Sequence, residues 1–147
     1  MLSLILAISV APLPTNNPVC EVGKVALGDF MKSASDGSDR FYGRVSPSEP
    51  DLLEVCPDLK ANLPPGYAKA DESARTRAGL SDSPNCIGTP ASIHSVSVPV
   101  IAADGKTATV SYYVFCGGLC GGGQYAKYVL RDNRWQRDGG VGTLYVS

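Results

Sequence analysis

Apolar and polar residues alternate over residues 92–101 and again over 106–115, with "ADGK" between them, a pattern that predicts a β-hairpin. A slip of one residue exchanges the two faces of a strand, so the side-chain pattern also selects the turn. A two-residue Asp-Gly loop would set Val100 beside Thr109 and Val98 beside Ser111. A three-residue loop, Ala103-Asp104-Gly105, sets Val100 beside Ala108, Val98 beside Val110 and Val96 beside Tyr112. The second choice gathers the apolar residues on one face and gives Gly105 the left-handed position that such a loop needs. In the next hairpin, with Cys116 facing Cys120, Tyr112 opposes Gln124, Val110 opposes Ala126 and Ala108 opposes Tyr128. The other face then carries Thr107, Thr109, Ser111, Tyr113, Tyr125, Lys127 and Val129. An Asp132-Asn133 turn sets Trp135 beside Leu130 on the apolar face, and "VGTLYVS" supplies a last strand.

Periodicity near 3.6 occurs upstream. In "NNPVCEVGKVALGDFMKSASDG", Val19, Val22, Ala26, Phe30 and Ser33 recur at three- and four-residue steps. Asn17 can cap this helix, Pro18 sits where its missing N–H costs nothing, and Asp36-Gly37 stops it. Gly23 and Gly28 each weaken it by about 1 kcal/mol relative to alanine, so the helix needs a packing partner. "SPSEPDLLEVCP" predicts a short second helix, with a Ser48/Asp51 capping pattern and Pro57 as its end. "DESARTRAGL" suits a helical turn or two within a loop-rich region. The expected fold is α+β: one N-terminal helix and a short second helix, packed on the apolar face of an antiparallel meander of four or five strands.

Length and composition narrow the class. A chain of 147 residues suits one domain, taken as 17–147 behind a leader at 1–16. The apolar run Leu2–Val10 has the length of a secretory h-region and is too short to span a bilayer. No Lys or Arg precedes it, and Pro12 blocks cleavage after Ala11, so a buried terminal strand competes with export. Five cysteines favour an oxidising compartment, secreted or periplasmic. A net charge of -1 provides no field to gather nucleic acid or an anionic membrane.

The candidate chemistry is sparse. "VFCGGLCGGGQY" holds a compact cysteine pair, but one distant histidine and no second ligand cluster leave a zinc site incomplete. Three residues between the thiols, inside a hairpin, lack the helix N-terminus that lowers a redox thiol's pKa. A structural Cys116–Cys120 disulfide is the better reading, with Cys56–Cys86 as the second pair and Cys20 left over. The register places Gly121 opposite Phe115 and Gly123 opposite Tyr113, so rings can lie over residues lacking side chains. Tyr113, Phe115 and Tyr125 form a candidate ligand platform, although β-propensity alone accounts for them. His94, the one histidine, shares the core face with Val96, Val98 and Val100. Either it is a buried, hydrogen-bonded residue or it is a general base with Asp29 or Glu21 as partner.

The segment "DGKTATVSYYVFCGGLCGGGQYAKYVLRDNRWQRDGGVGTLYVS" resembles the C-terminal part of small uncharacterised bacterial exported proteins with a "CGxLCGxG" hairpin turn. Tyr145 stands where that resemblance leads one to expect tryptophan, and nothing upstream matches. The resemblance implies a cystatin-like or NTF2-like helix on a curved sheet and brings no assigned activity. The expected function is that of an exported, non-catalytic binding or accessory domain for an unidentified ligand or protein partner, with no cofactor or metal. The alternatives are an NTF2-like pocket enzyme using His94, and a thiol-redox or metal-binding protein acting through Cys116 and Cys120.

Overall fold

A computed structural model describes residues 11–12, 16–31, 39–44, 50–79, 90–116 and 121–146. Helix α1 runs Pro18–Met31, and the Val19 N–H donates to Asn17 Oδ1 at 2.9 Å, the expected cap. Its buried surface includes Val22, Ala26 and Phe30 but is wider than the sequence stripe, adding Cys20, Gly23, Leu27 and Met31. The extra width has a cause: α1 touches the sheet on one side and a second helical layer on the other. Asp36-Gly37 lies outside the described residues.

That second layer comprises α2 (Leu52–Val55) and a 3-10 helix (Pro57–Asn62); a short helix α3 (Glu72–Arg77) follows. Gly23 is where α1 and α2 cross, because a Cβ there would stand 2.5 Å from Leu52 Cδ1. Gly28 has open space around its missing Cβ. The two glycines therefore predict opposite outcomes. Gly28→Ala raises stability by about 0.5–1 kcal/mol through helix propensity. Gly23→Ala loses at least that gain to overpacking against Leu52. Urea denaturation of the two variants beside the parent checks the pair.

The sheet corrects the expected antiparallel meander. Among the described residues it has eight strands: β1 (Asp39–Tyr42), β2 (Ala68–Lys69), β3 (Ala91–Val96), β4 (Val100–Ile101), β5 (Thr107–Cys116), β6 (Gly122–Arg131), β7 (Arg134–Arg137) and β8 (Gly142–Val146). The main order is β2-β1-β3-β5-β6-β7, with β4 alongside β5 and β8 alongside β6. β1 pairs parallel with both β2 and β3, so the sheet is mixed. The chain passes through α2, the 3-10 helix and α3 between β1 and β3, and such a crossover permits a parallel return.

Within the antiparallel part the registers follow the side-chain pattern. Val110 opposes Ala126, Ala108 opposes Tyr128, and Leu130 opposes Trp135. Asp132 and Asn133 form the tight turn with φ values of 50 and 58, the left-handed pair such a hairpin requires. Val96 opposes Tyr112 as expected, but Val100 opposes Thr109 and Ile101 opposes Ala108. From Ser97, whose N–H donates to Ser111 O at 2.9 Å, the first strand takes three steps while β5 takes two. The extra residue is a bulge containing Pro99, which lacks a ladder donor. The bulge turns Val100 out to 69 % exposure and aims Ile101 at the core instead.

The main core lies between α1 and the sheet, where Phe30 stacks on Tyr112 with centroids 4.9 Å apart. A second cluster of Ala78, Ala91 and Ile93, with Phe41, Ala70 and Phe115 against it, covers the other face at β3. For that reason all six residues of β3 are buried, where alternation alone predicts a solvated face.

Candidate functional site

The helix-to-sheet interface, where the sequence leads one to look for a pocket, is filled by Val22, Ala26, Phe30, Val110, Tyr112 and Tyr128. The cavity of note lies to one side, where the end of β1 meets α2, the 3-10 helix and β2. Its volume is about 720 Å³. Tyr42, Gly43 and Arg44 form one wall, Asp51, Leu53 and Glu54 a second, and Pro57, Lys60 and Leu63 a third. Lys69 of β2 and Pro12 complete the lining.

Local sequence explains the walls. Asp51 is the N-cap of α2: its Oδ1 accepts from the Leu53 N–H at 2.8 Å. Glu54 Oε2 accepts in return from the Asp51 N–H at 3.3 Å, which completes a capping box. The box thus joins Asp51 to Glu54, one turn later than the Ser48/Asp51 pattern suggests; Ser48 lies outside the described residues. Asp51 also bridges to Ser97, continuing the edge of the sheet beyond β1.

A disulfide fixes this layer to α1. Cys20, in the first turn of α1, is bonded to Cys56, the residue that closes α2, across a Cα–Cα distance of 5.7 Å. This pairing corrects the expected Cys56–Cys86 bridge and the expectation that Cys20 is left over. The reason is the α1–α2 crossing at Gly23, which brings the two cysteines to bonding distance. Among the described residues Cys116 is also disulfide-bonded. Cys86 and Cys120 both lie outside them.

The charges around the cavity are unequal in commitment. Asp51 is 4 % exposed, and its carboxyl takes hydrogen bonds from the Leu53 N–H and from Ser95 Oγ at 3.1 Å. Burial raises its pKa above the usual carboxylate range against the pull of those donors. Burial, then the adjacent Asp51 charge, pushes the Tyr42 phenol well above its ordinary value. Glu54 is held below the usual range, first by its hydrogen bond from the Arg44 guanidinium. Among the described residues Lys60 and Lys69 enter no ion pair.

Asp51 gives a pH prediction of defined sign. A carboxyl whose pKa is raised on folding makes the folded state bind the proton more tightly. Its contribution is therefore most favourable below the unfolded value of about 3.9 and falls as pH rises through the folded value. Asp51→Asn removes that loss while keeping an acceptor for Leu53. The variant gains on the parent in urea midpoint between about pH 3.5 and 7. A constant difference across that range contradicts the assignment.

His94 is 1 % exposed on β3, far from acting as an open base. Its Nε2 meets Ser92 Oγ at 3.0 Å and its Nδ1 meets the Tyr112 hydroxyl, while the Tyr67 ring stands edge-on at 5.2 Å. The acidic partners considered from sequence are elsewhere. Asp29 Oδ2 accepts from the Tyr128 hydroxyl at 3.0 Å, and Glu21 is exposed on α1.

The three rings of the candidate platform share one face, opposite the main core. Tyr113 stacks on Tyr145 at 6.4 Å, both over Gly123, whose absent Cβ would stand 2.8 Å from the Tyr145 ring. Tyr125 lies across Gly142 in the same way, and Phe115 packs into the second cluster. Among the described residues no helix is long and apolar enough to cross a membrane, and no three His, Cys, Asp or Glu side chains converge as a metal site.

The cavity has no signature of its own in the sequence. Asp51 stood out only as a cap, and Arg44, Lys60 and Lys69 come from segments whose pattern is weak. The one local signal was Phe41-Tyr42, an aromatic pair in a polar stretch, too short to read as a strand. No family model, no curated protein and no solved structure matches the chain.

Proposed function

We propose that this chain is an exported, non-catalytic binding domain whose ligand occupies the cavity between β1, α2 and β2. The observation that carries the reading is the division of polar groups. The sole histidine is deep in the core with a hydroxyl at each ring nitrogen, whereas the cavity is roomy, mostly apolar and edged by a few charged groups. Its volume of about 720 Å³ falls in the range of small-molecule sites. The buried Asp51 serves the fold, since its oxygens are already engaged by the α2 N-terminus and Ser95. Export is supported by the buried Cys20–Cys56 bridge, which suits an oxidising compartment.

The test is a fragment library screened by methyl-resolved NMR on the full chain. Binders that shift the methyl signals of Leu53 and Leu63, and leave Val110 unmoved, support the reading. Binders that shift only residues of the sheet face around Tyr113 and Tyr125 move the site to the aromatic platform and refute it.

A further inference from the structure

Which kind of molecule the cavity takes follows from which of its polar groups are already occupied; the step rests on the reading of this cavity as a binding site. Tyr42, Leu53, Pro57 and Leu63 give it walls that suit an apolar body of ring size. Both lining carboxylates are engaged within the protein. Asp51 is nearly inaccessible and holds the Leu53 N–H and the Ser95 hydroxyl, and Glu54 holds the Arg44 guanidinium. Lys60 and Lys69 approach from two different elements, the 3-10 helix and β2. Their ammonium groups are in no ion pair among the described residues. Lys69 lies near enough to the mouth to help hold Glu54 ionised.

We infer that the cavity selects a small organic anion, an apolar ring or short chain bearing a carboxylate, sulfonate or phosphate that Lys60 and Lys69 receive. A cation would meet three positive side chains whose acidic neighbours are already paired. A neutral molecule gives the two ammonium groups no charged acceptor. An anion supplies that acceptor, and its charge-assisted hydrogen bonds are stronger than neutral ones.

Three probes with one apolar body separate these cases: 2-naphthoate, 2-naphthalenemethanol and 2-naphthylmethylammonium, titrated calorimetrically into the full chain. The expected order is naphthoate tighter than the alcohol by about tenfold, with the ammonium weakest. The naphthoate advantage shrinks between about 0.01 and 0.15 M salt as screening shortens the reach of the ammonium charges. The K60Q/K69Q variant removes the naphthoate advantage, so that acid and alcohol bind alike. Equal affinities for alcohol and acid, or a K60Q/K69Q variant that binds naphthoate as the parent does, overturn the anion assignment while leaving the cavity a site. If none of the three shifts the Leu53 and Leu63 methyl signals, the binding reading itself fails, and this inference with it. L63W, which narrows the cavity at one wall, is expected to weaken binding of all three; undiminished binding by that variant also overturns the assignment.

Discussion

Replacing Cys20 and Cys56 together by alanine is expected to lower the free energy of unfolding by about 4 kcal/mol, a large fraction of what holds a chain of this size folded. The figure follows from the sequence separation of 36 residues that the bridge closes. Without it the unfolded chain regains the entropy of an open loop of that length. Both cysteines are buried in the main core, so the variant also loses packing around the α1–α2 crossing. Urea denaturation reads the loss as a lower midpoint with a steeper dependence on denaturant, because the unfolded state expands. The bridge also ties the α2 and 3-10 wall of the cavity to α1, so naphthoate affinity falls with stability. A loss below about 1 kcal/mol would mean that the crossing is held by packing alone.

The second large effect is expected at Tyr112. Its ring stacks on Phe30 and its hydroxyl meets His94 Nδ1, so two substitutions separate the two roles. Tyr112→Ala is expected to cost about 4 kcal/mol, the usual scale for deleting a buried ring. Tyr112→Phe keeps the ring and removes the hydroxyl, leaving a buried imidazole nitrogen without that partner, at a cost of about 2 kcal/mol. Chemical denaturation of both variants gives the two values. Ligand affinity in the Phe variant is expected to equal that of the parent, since neither Tyr112 nor His94 lines the cavity. A Phe variant that folds like the parent and loses binding would return His94 to the functional site.

What the sequence revealed and what it hid divide along the range of the interactions involved. The β5–β6 and β6–β7 registers were legible because alternation and the Asp132-Asn133 turn are local signals that agree with each other. The cap of α1 was legible for the same reason, as Asn17-Pro18 is a start signal complete in two residues. Alternation alone puts Val100 on the wrong face, because it does not register the one-residue bulge at Pro99. β1 was missed because its four residues pair with β3 across an intervening sequence that no periodicity bridges. The Cys20–Cys56 pairing was hidden likewise. It depends on α1 crossing α2 at Gly23, a residue that local propensity marks only as a defect. The cavity inherits all of these long-range determinants, and so its residues carried no signature of their own.

A crystal structure of the full chain soaked with 2-naphthoate tests the central claim most directly. The account predicts the naphthalene between Leu53 and Leu63, its carboxylate turned toward Lys60 and Lys69, and His94 still enclosed between Ser92 and Tyr112. Naphthoate lying on the Tyr113 and Tyr145 rings with the cavity vacant, or seated at an opened His94, would contradict it.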